Sequence, residues 1–338
     1  MGEAEEEILK ILHQNGEAYQ SELVKATGFS KATISEALSL LAKRRLVRRV
    51  AVGKNWKVYP QGEASPHHGG KRLRLGFTRA AEYPFLVSFK RALKDVDLNL
   101  EFKVYENGID VARDLSLFRV DLGIAPALTL FLFHSSEAPV KILAPAGSGG
   151  ASVVLSPRQA SNPTRDAVVT CTKISTMELM MRSAMRDLDI PPTPKVVYAS
   201  GPGQMQDMLL SGSADVGCIW EPYATTLEAR GARRVIRYSD MGEHVCCALA
   251  AGGHLDERVL SKISRMYRLS MDSFRRDPEA HMTAYSALSG LEASLLRRVS
   301  GEYSYPEDFS GSVVERQFER GGVVLPSPSS FRDALFKP

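Results

Sequence analysis

Residues 61–72, QGEASPHHGGKR, break the hydrophobic patterning of this 338-residue chain more sharply than any other stretch. A cluster of Gly, Pro, Ser and His has almost nothing to bury and no period to bury it with, so it connects domains rather than building one. The chain therefore divides into residues 1–60 and 73–338, and the second part is long enough for a sizeable core of its own. His67 and His68 are adjacent on this connector with no Cys partner, and two flexible neighbours do not make a metal site.

The formal net charge is +4, but residues 8–60 hold 10 Lys/Arg against Glu17, Glu22 and Glu36. The whole positive excess sits at one end, which suggests a polyanionic partner, nucleic acid first; a solvated charged face gives the same count, so the motif decides. Ile8, Ile11 and Leu12 fall at helical spacing before a stop at Asn15-Gly16. A second short helix spans about 21–27, Gly28 makes the turn, and Ser30 caps a third helix with Ile34, Leu38 and Leu41 inward. That leaves Lys31, Thr33, Ser35 and Glu36 on the exposed N-terminal half of helix three. RRVAVGKNWKVYP alternates around Gly53-Lys54-Asn55 and predicts a β-hairpin with Lys54 at its tip and Arg48 and Arg49 on its first strand.

Three helices followed by a basic hairpin, with SELVKATGFSKATISEALSLLAKRRLVRR at the centre, resemble winged helix-turn-helix regulators of the MarR-like and TrmB-like type over about residues 4–60. The resemblance implies double-stranded DNA as partner, with Ser30, Lys31, Thr33 and Ser35 near base edges and Arg48 and Lys54 on the backbone or minor groove. A winged helix that binds protein is the competing reading; Ser, Thr and Lys at the start of helix three favour the duplex. Trp56 is expected in the hairpin core.

After the connector, short apolar strands alternate with amphipathic helices: LRLGFTR, PFLVSFKRALKD, LNLEFKVYEN, VDLGIAP. VDLGIAPALTLFLFHSSEAPVKILA and LLSGSADVGCIWEPYATTLEARGARRVI resemble solute-binding proteins for sulfonates, taurine and nitrate, and the related thiamine-pyrimidine synthases, over about residues 72–300. The resemblance implies an α/β fold in two lobes of the type II periplasmic-binding-protein kind. Crossings then fall near 145–153 and 242–250, and the second lobe at about 153–242. In such folds the ligand lies at strand C-termini and helix N-termini. That rule selects Thr78, Arg79 and Tyr83 after the first strand, Ala125 and Pro126 after the third, and Ser148 and Gly149 at the crossing. It also selects Ser175 and Thr176 at a helix start, and Trp220, Glu221 and Tyr223 after the GCI strand. Duller readings stand beside these: core or interface for Tyr83 and Tyr223, an N-cap for Ser175 and Thr176, lobe packing for Trp220, and a solvent-facing Arg79. Met266, Tyr267 and Met271 are expected in the core.

Cys171, Cys218, Cys246 and Cys247 are too few and too irregular for a disulfide framework and contain no C-x-x-C spacing, so no metal site is expected. The thiamine-pyrimidine synthases carry a fuller cysteine run in a similar strand; HVCCALA keeps only a pair, read as small hydrophobes or as a hint of an aminopyrimidine ligand. No nucleophile elbow, phosphate loop or dinucleotide fingerprint is present, so neither a catalytic residue nor a cofactor is expected. No stretch is long and apolar enough for a membrane span, and the acidic MGEAEEEILK is unlike a secretory leader; a cytoplasmic protein is expected. The combination predicts a one-component transcriptional regulator, a homodimer whose DNA affinity is set by a small effector of the sulfonate, nitrate-like anion or aminopyrimidine class. The alternative is an enzyme on the same two-lobed fold with a regulatory winged helix.

Overall fold

The computed structural model describes residues 2–15, 17–44, 46–52, 55–60, 71–159, 166–187, 195–241, 244–309, 311–323 and 330–336. Lys54 at the hairpin tip, and His67 and His68 on the connector, lie outside the described residues.

The first unit is α1 (Glu3–Asn15), β1 (Ala18–Tyr19), α2 (Gln20–Thr27), α3 (Lys31–Lys43), β2 (Val47–Val52) and β3 (Asn55–Pro60). Gly28 ends α2 in the left-handed region at φ +73°, where a side chain would be strained, and its N–H bonds the Val24 carbonyl. Ser30 then starts α3 by accepting a hydrogen bond from the Thr33 N–H at 3.1 Å. The three strands pair antiparallel in the order β1-β3-β2 and close over Ile8, Leu12, Leu23, Ile34, Leu38, Leu41, Val47 and Val58. Trp56 departs from expectation: it is 47% exposed, with the Arg49 guanidinium 5.6 Å from its ring. It shares the strand face of buried Val58, but lies nearer the hairpin tip, where the cluster of helix side chains no longer covers that face.

The second part opens with β4 (Lys71–Thr78), α4 (Leu86–Lys94), β5 (Leu98–Tyr105), α5 (Gly108–Ser116), β6 (Leu122–Pro126), α6 (Ala127–Ser135) and β7 (Val140–Gly149). The chain then crosses into β8 (Ala151–Leu155), β9 (Val168–Cys171), α7 (Thr176–Asp187), β10 (Lys195–Tyr198), α8 (Pro202–Ser211), β11 (Val216–Trp220), α9 (Tyr223–Glu228) and β12 (Arg233–Arg237). It returns as β13 (Cys247–Gly252), followed by α10 (Glu257–Arg276), α11 (Glu279–Ser289), α12 (Ala293–Val299), β14 (Tyr303–Ser304), α13 (Gly311–Arg320) and α14 (Ser330–Asp333). Two sheets result, β14-β7-β13-β6-β4-β5 and β10-β9-β11-β8-β12.

Both sheets follow one plan. Parallel neighbours β5-β4-β6 in one and β10-β9-β11 in the other are joined by a strand from across the crossing, β13 or β8, inserted antiparallel. The first crossing turns on Gly149 and Gly150, at φ +88° and +59°, where L side chains are strained. The two lobes thus exchange strands, and the space between them faces the C-terminal ends of β4, β6, β9 and β11.

Helix α10 shows why this sequence covers the first lobe. Leu260, Ile263, Met266, Tyr267, Met271 and Phe274 recur at helical spacing and are buried, while Asp256 caps the start by accepting from the Val259 N–H. Phe85, Phe89, Tyr267 and Phe274 meet edge to face beneath it, a geometry adding roughly 0.5–1.5 kcal/mol per pair beyond simple burial. Among the described residues no helix is long and apolar enough to cross a membrane.

Candidate functional site

The interlobe cleft is a narrow cavity of about 30 Å³ lined by Thr78, Glu82, Tyr83, Gly108, Pro126, Thr172, Ser175, Thr176, Trp220, Cys246 and Cys247, among others. One water needs roughly 10–15 Å³, so the lobes are closed. Direct bonds hold them so. The Trp220 indole N–H donates to the Arg79 carbonyl at 2.9 Å, the Ala81 N–H to the Glu221 carbonyl at 3.1 Å, and Asn107 Nδ2 to the Ser200 carbonyl at 3.0 Å. Thr176 Oγ1 donates to the Cys246 carbonyl at 2.9 Å.

The floor of the cleft is acidic, and its principal residue was not singled out in the sequence. Glu82 is 4% exposed and follows the β4 turn; its Oε1 has no hydrogen-bond partner. Burial pushes its carboxyl up to about 7, against the opposing hydrogen bonds of Cys247 and Tyr83. Tyr83 Oη lies 3.2 Å from both Thr78 Oγ1 and Cys247 Sγ, and burial raises its phenol. Cys246 and Cys247 Sγ are 3.3 Å apart. Burial raises the Cys247 thiol; Cys246 is lowered by its contact with Cys247, but burial and the Glu82 charge outweigh this and leave it raised. Glu82, Cys246 and Cys247 each bring one ligand atom within 4.8 Å of the others. Nothing in AAEYPF marks Glu82 as special; its place depends on a strand 164 residues further along, that of Tyr83's partner Cys247.

The structure brings Thr78, Tyr83, Ser175, Thr176 and Trp220 together in this cleft. Ser175 also bonds its own turn, accepting from Thr172 Oγ1 and the Glu178 N–H and donating to the Thr172 carbonyl. The other selected residues lie elsewhere. Arg79 turns away, its Nε 3.0 Å from Glu106 Oε1 and its Nη1 2.6 Å from the Ser289 carbonyl. Ala125 is fully buried in the core beside β13, and its neighbour Pro126 forms the wall instead. Ser148 and Gly149 face His244, Ser148 Oγ donating to its carbonyl and the Gly149 N–H to its Nε2. Tyr223 packs edge-on against Trp220. Glu221 has a structural partner: it is 0% exposed, 2.7 Å from Arg234 Nη1, and accepts from the Thr225 N–H at 3.0 Å. For Arg79, Ser148 and Glu221 the cause is the same: a polar residue at a strand end turns to whichever charge or carbonyl is nearest, and sequence does not show that neighbour.

On the N-terminal unit, Ser30, Lys31 and Thr33 are exposed and Ser35 half-buried along one edge of α3. The Ser30 and Thr33 hydroxyls bond each other at 2.8 Å. Arg48 departs from the expected DNA-facing position: it is half-buried, its Nη1 donates to the Ser116 carbonyl at 3.2 Å, and burial lowers its pKa from the usual arginine value. The C-terminal carbonyls of α5, left without intrahelical donors, attract that cation.

The family described as Domain of unknown function (DUF7343) matches residues 1–60. No curated protein matches the chain. Solved structures share the two-lobed fold. A ligand-binding component of an ABC-type import system from Staphylococcus aureus, with zinc bound, superposes with TM-score 0.67 at 16% identity, covering 79% of this chain and 96% of its own. The alkanesulfonate-binding protein SsuA from Xanthomonas axonopodis pv. citri, bound to MOPS, gives 0.62 at 16% identity, covering 80% and 99%. The periplasmic aliphatic sulphonate binding protein SsuA from Escherichia coli gives 0.62 at 13%, covering 79% and 92%. The second part of the chain therefore has a mixed α/β, two-lobed, periplasmic-binding-protein-like fold.

Proposed function

We propose that the chain is a ligand-responsive DNA-binding regulator: a winged helix-turn-helix at residues 1–60 whose operator affinity is set by a small molecule held between the lobes. One observation carries the reading. Helix α5 has one end in the cleft and the other on the N-terminal unit: Gly108 lines the cavity, and the Ser116 carbonyl accepts Arg48. Asn107, which caps that helix by accepting from the Asp110 N–H, also bonds Ser200 of the second lobe. Opening the lobes breaks the Asn107–Ser200 bond, and the same helix then moves the seat of Arg48.

The exposed edge of α3, with Lys31 and Thr33 at its start, supports a recognition helix, and the excess of Lys and Arg supports phosphate contacts. A homodimer fits the scheme, because a change in spacing between two such units alters affinity for a two-fold operator. The cleft is assigned to binding rather than turnover. Burial keeps Cys246 and Cys247 as thiols instead of nucleophilic thiolates, and no cofactor is called for. Its floor presents an acceptor, Glu82, and Arg79 is turned away, so a ligand with donor groups, such as an aminopyrimidine, suits it better than a bare sulfonate or nitrate.

The test is binding of the purified chain to its own upstream DNA across a salt series, with and without a panel of aminopyrimidines, sulfonates and nitrate. Sequence-specific binding that one class of ligand changes is the expected result. Weak binding that is indifferent to sequence and to every ligand overturns the proposal.

A further inference from the structure

Neighbouring residues of a β-strand point to opposite faces, yet the thiols of Cys246 and Cys247 converge on one cavity. The cause is local. Cys246 precedes the regular part of β13, and the register against β7 slips between Cys247 and Ala248. Glu82 reaches the same point from the other side, and room is made for it: a Cβ on Gly147 would lie 2.5 Å from Glu82 Oε1. A buried pair of thiols beside a carboxylate oxygen without a partner is a costly arrangement for a simple core, and three apolar residues would pack there without it.

We propose that Glu82, Cys246 and Cys247 form a binding site for one thiophilic divalent cation, zinc or cadmium, with its fourth position open to the cleft. Around zinc, two sulfurs at about 2.3 Å in tetrahedral geometry stand roughly 3.8 Å apart; the thiols, at 3.3 Å, need to separate only slightly. Glu82 Oε1 supplies the oxygen. The two sulfurs give up their protons to solvent on binding, and the cation offsets the negative charge they acquire. Tyr83 Oη, 3.2 Å from Cys247 Sγ, donates to the resulting thiolate and orients it. Thr78, Ser175, Thr176 and Trp220 then surround the open position, where water or a donor atom of the small ligand completes the shell. The site does not depend on the DNA-binding reading, and its test uses no DNA.

The reduced full-length chain is titrated with Cd²⁺, following the ultraviolet thiolate-to-cadmium charge-transfer band. The expected result is saturation at about one equivalent with release of about two protons from the thiols, together with the share that the Glu82 carboxyl still holds at the pH of the titration. Cys246→Ser and Cys247→Ser each diminish the band and weaken binding, Glu82→Gln weakens binding while keeping the band, and Cys171→Ser changes neither. If the serine variants fail to fold, X-ray absorption of the zinc-loaded wild-type chain decides: two sulfur neighbours near about 2.3 Å support the site. A shell of nitrogen and oxygen alone, as at His67-His68, overturns it, as does a band unchanged in both serine variants.

Discussion

Arg234→Met tests whether Glu221 belongs to the fold rather than to the ligand. The pair is deeply placed: Glu221 is 0% and the Arg234 side chain 6% exposed, 2.7 Å apart. Arg234 also reaches Glu228 at 2.6 Å and Thr225 Oγ1 at 3.1 Å. Removing the guanidinium leaves Glu221 with the Thr225 N–H as its hydrogen-bond donor, an uncompensated buried charge, and such losses cost about 3–5 kcal/mol. Taking the charge away as well, in Glu221→Gln/Arg234→Met, recovers much of that loss, because the penalty comes from the orphaned carboxylate rather than from a lost attraction. The assay is urea unfolding followed by Trp220 fluorescence in a Trp56→Phe background, comparing midpoints at constant slope. An Arg234→Met cost below about 1 kcal/mol, within the range of an exposed pair, refutes the reasoning. So does a double variant no more stable than the single.

Lys31→Ala should cost about 1–3 kcal/mol of operator affinity and relax specificity at the base it faces, with ligand or metal binding unchanged; an unaltered operator affinity removes α3 from the interface. Arg48→Ala should leave both DNA affinity without ligand and ligand affinity close to wild type while reducing the effect of one on the other, measured as the ratio of operator affinities with and without ligand. Asp121 is raised by burial, but hydrogen bonds from His254 and Arg74 outweigh this and hold its pKa below the ordinary carboxylate value. The unfolded chain therefore binds the proton first as pH falls. The stabilisation is whole at neutral pH and is lost below about pH 4, through the native value. Asp121→Asn should flatten that acid limb of the unfolding profile, and an unchanged limb would show that Asp121 contributes nothing to it.

Period and punctuation made the parts legible, VDLGIAP and VGCIW being short buried strands each followed by a helix, and GSGG permitting the positive φ of the crossing; their arrangement in two lobes came from the resemblance those stretches carry. The α3 cap at Ser30 was legible for the same local reason. The chemistry of the cleft was not. Strand-end logic located Thr78, Tyr83, Ser175, Thr176 and Trp220, since position along a strand determines which end a residue occupies. It could not locate Glu82, whose importance arises from Gly147, Cys246 and Cys247, or divert Arg79 and Glu221 to Glu106 and Arg234. Period likewise assigned Trp56 its strand face but not how far the helices extend beneath it.

The exchange of strands between lobes also fixes an order of assembly during synthesis. The N-terminal unit and the sheet formed by residues 151–237 are complete once those residues have left the ribosome, whereas the first lobe still lacks β13, which lies between β6 and β7. Until residue 252 emerges, β6 and β7 present unpaired edges. The strand that closes this gap begins at Cys247, directly after Cys246. The thiols thus reach Glu82 in the same event that fills the gap between β6 and β7, and a nascent chain stalled before that point has no complete cleft.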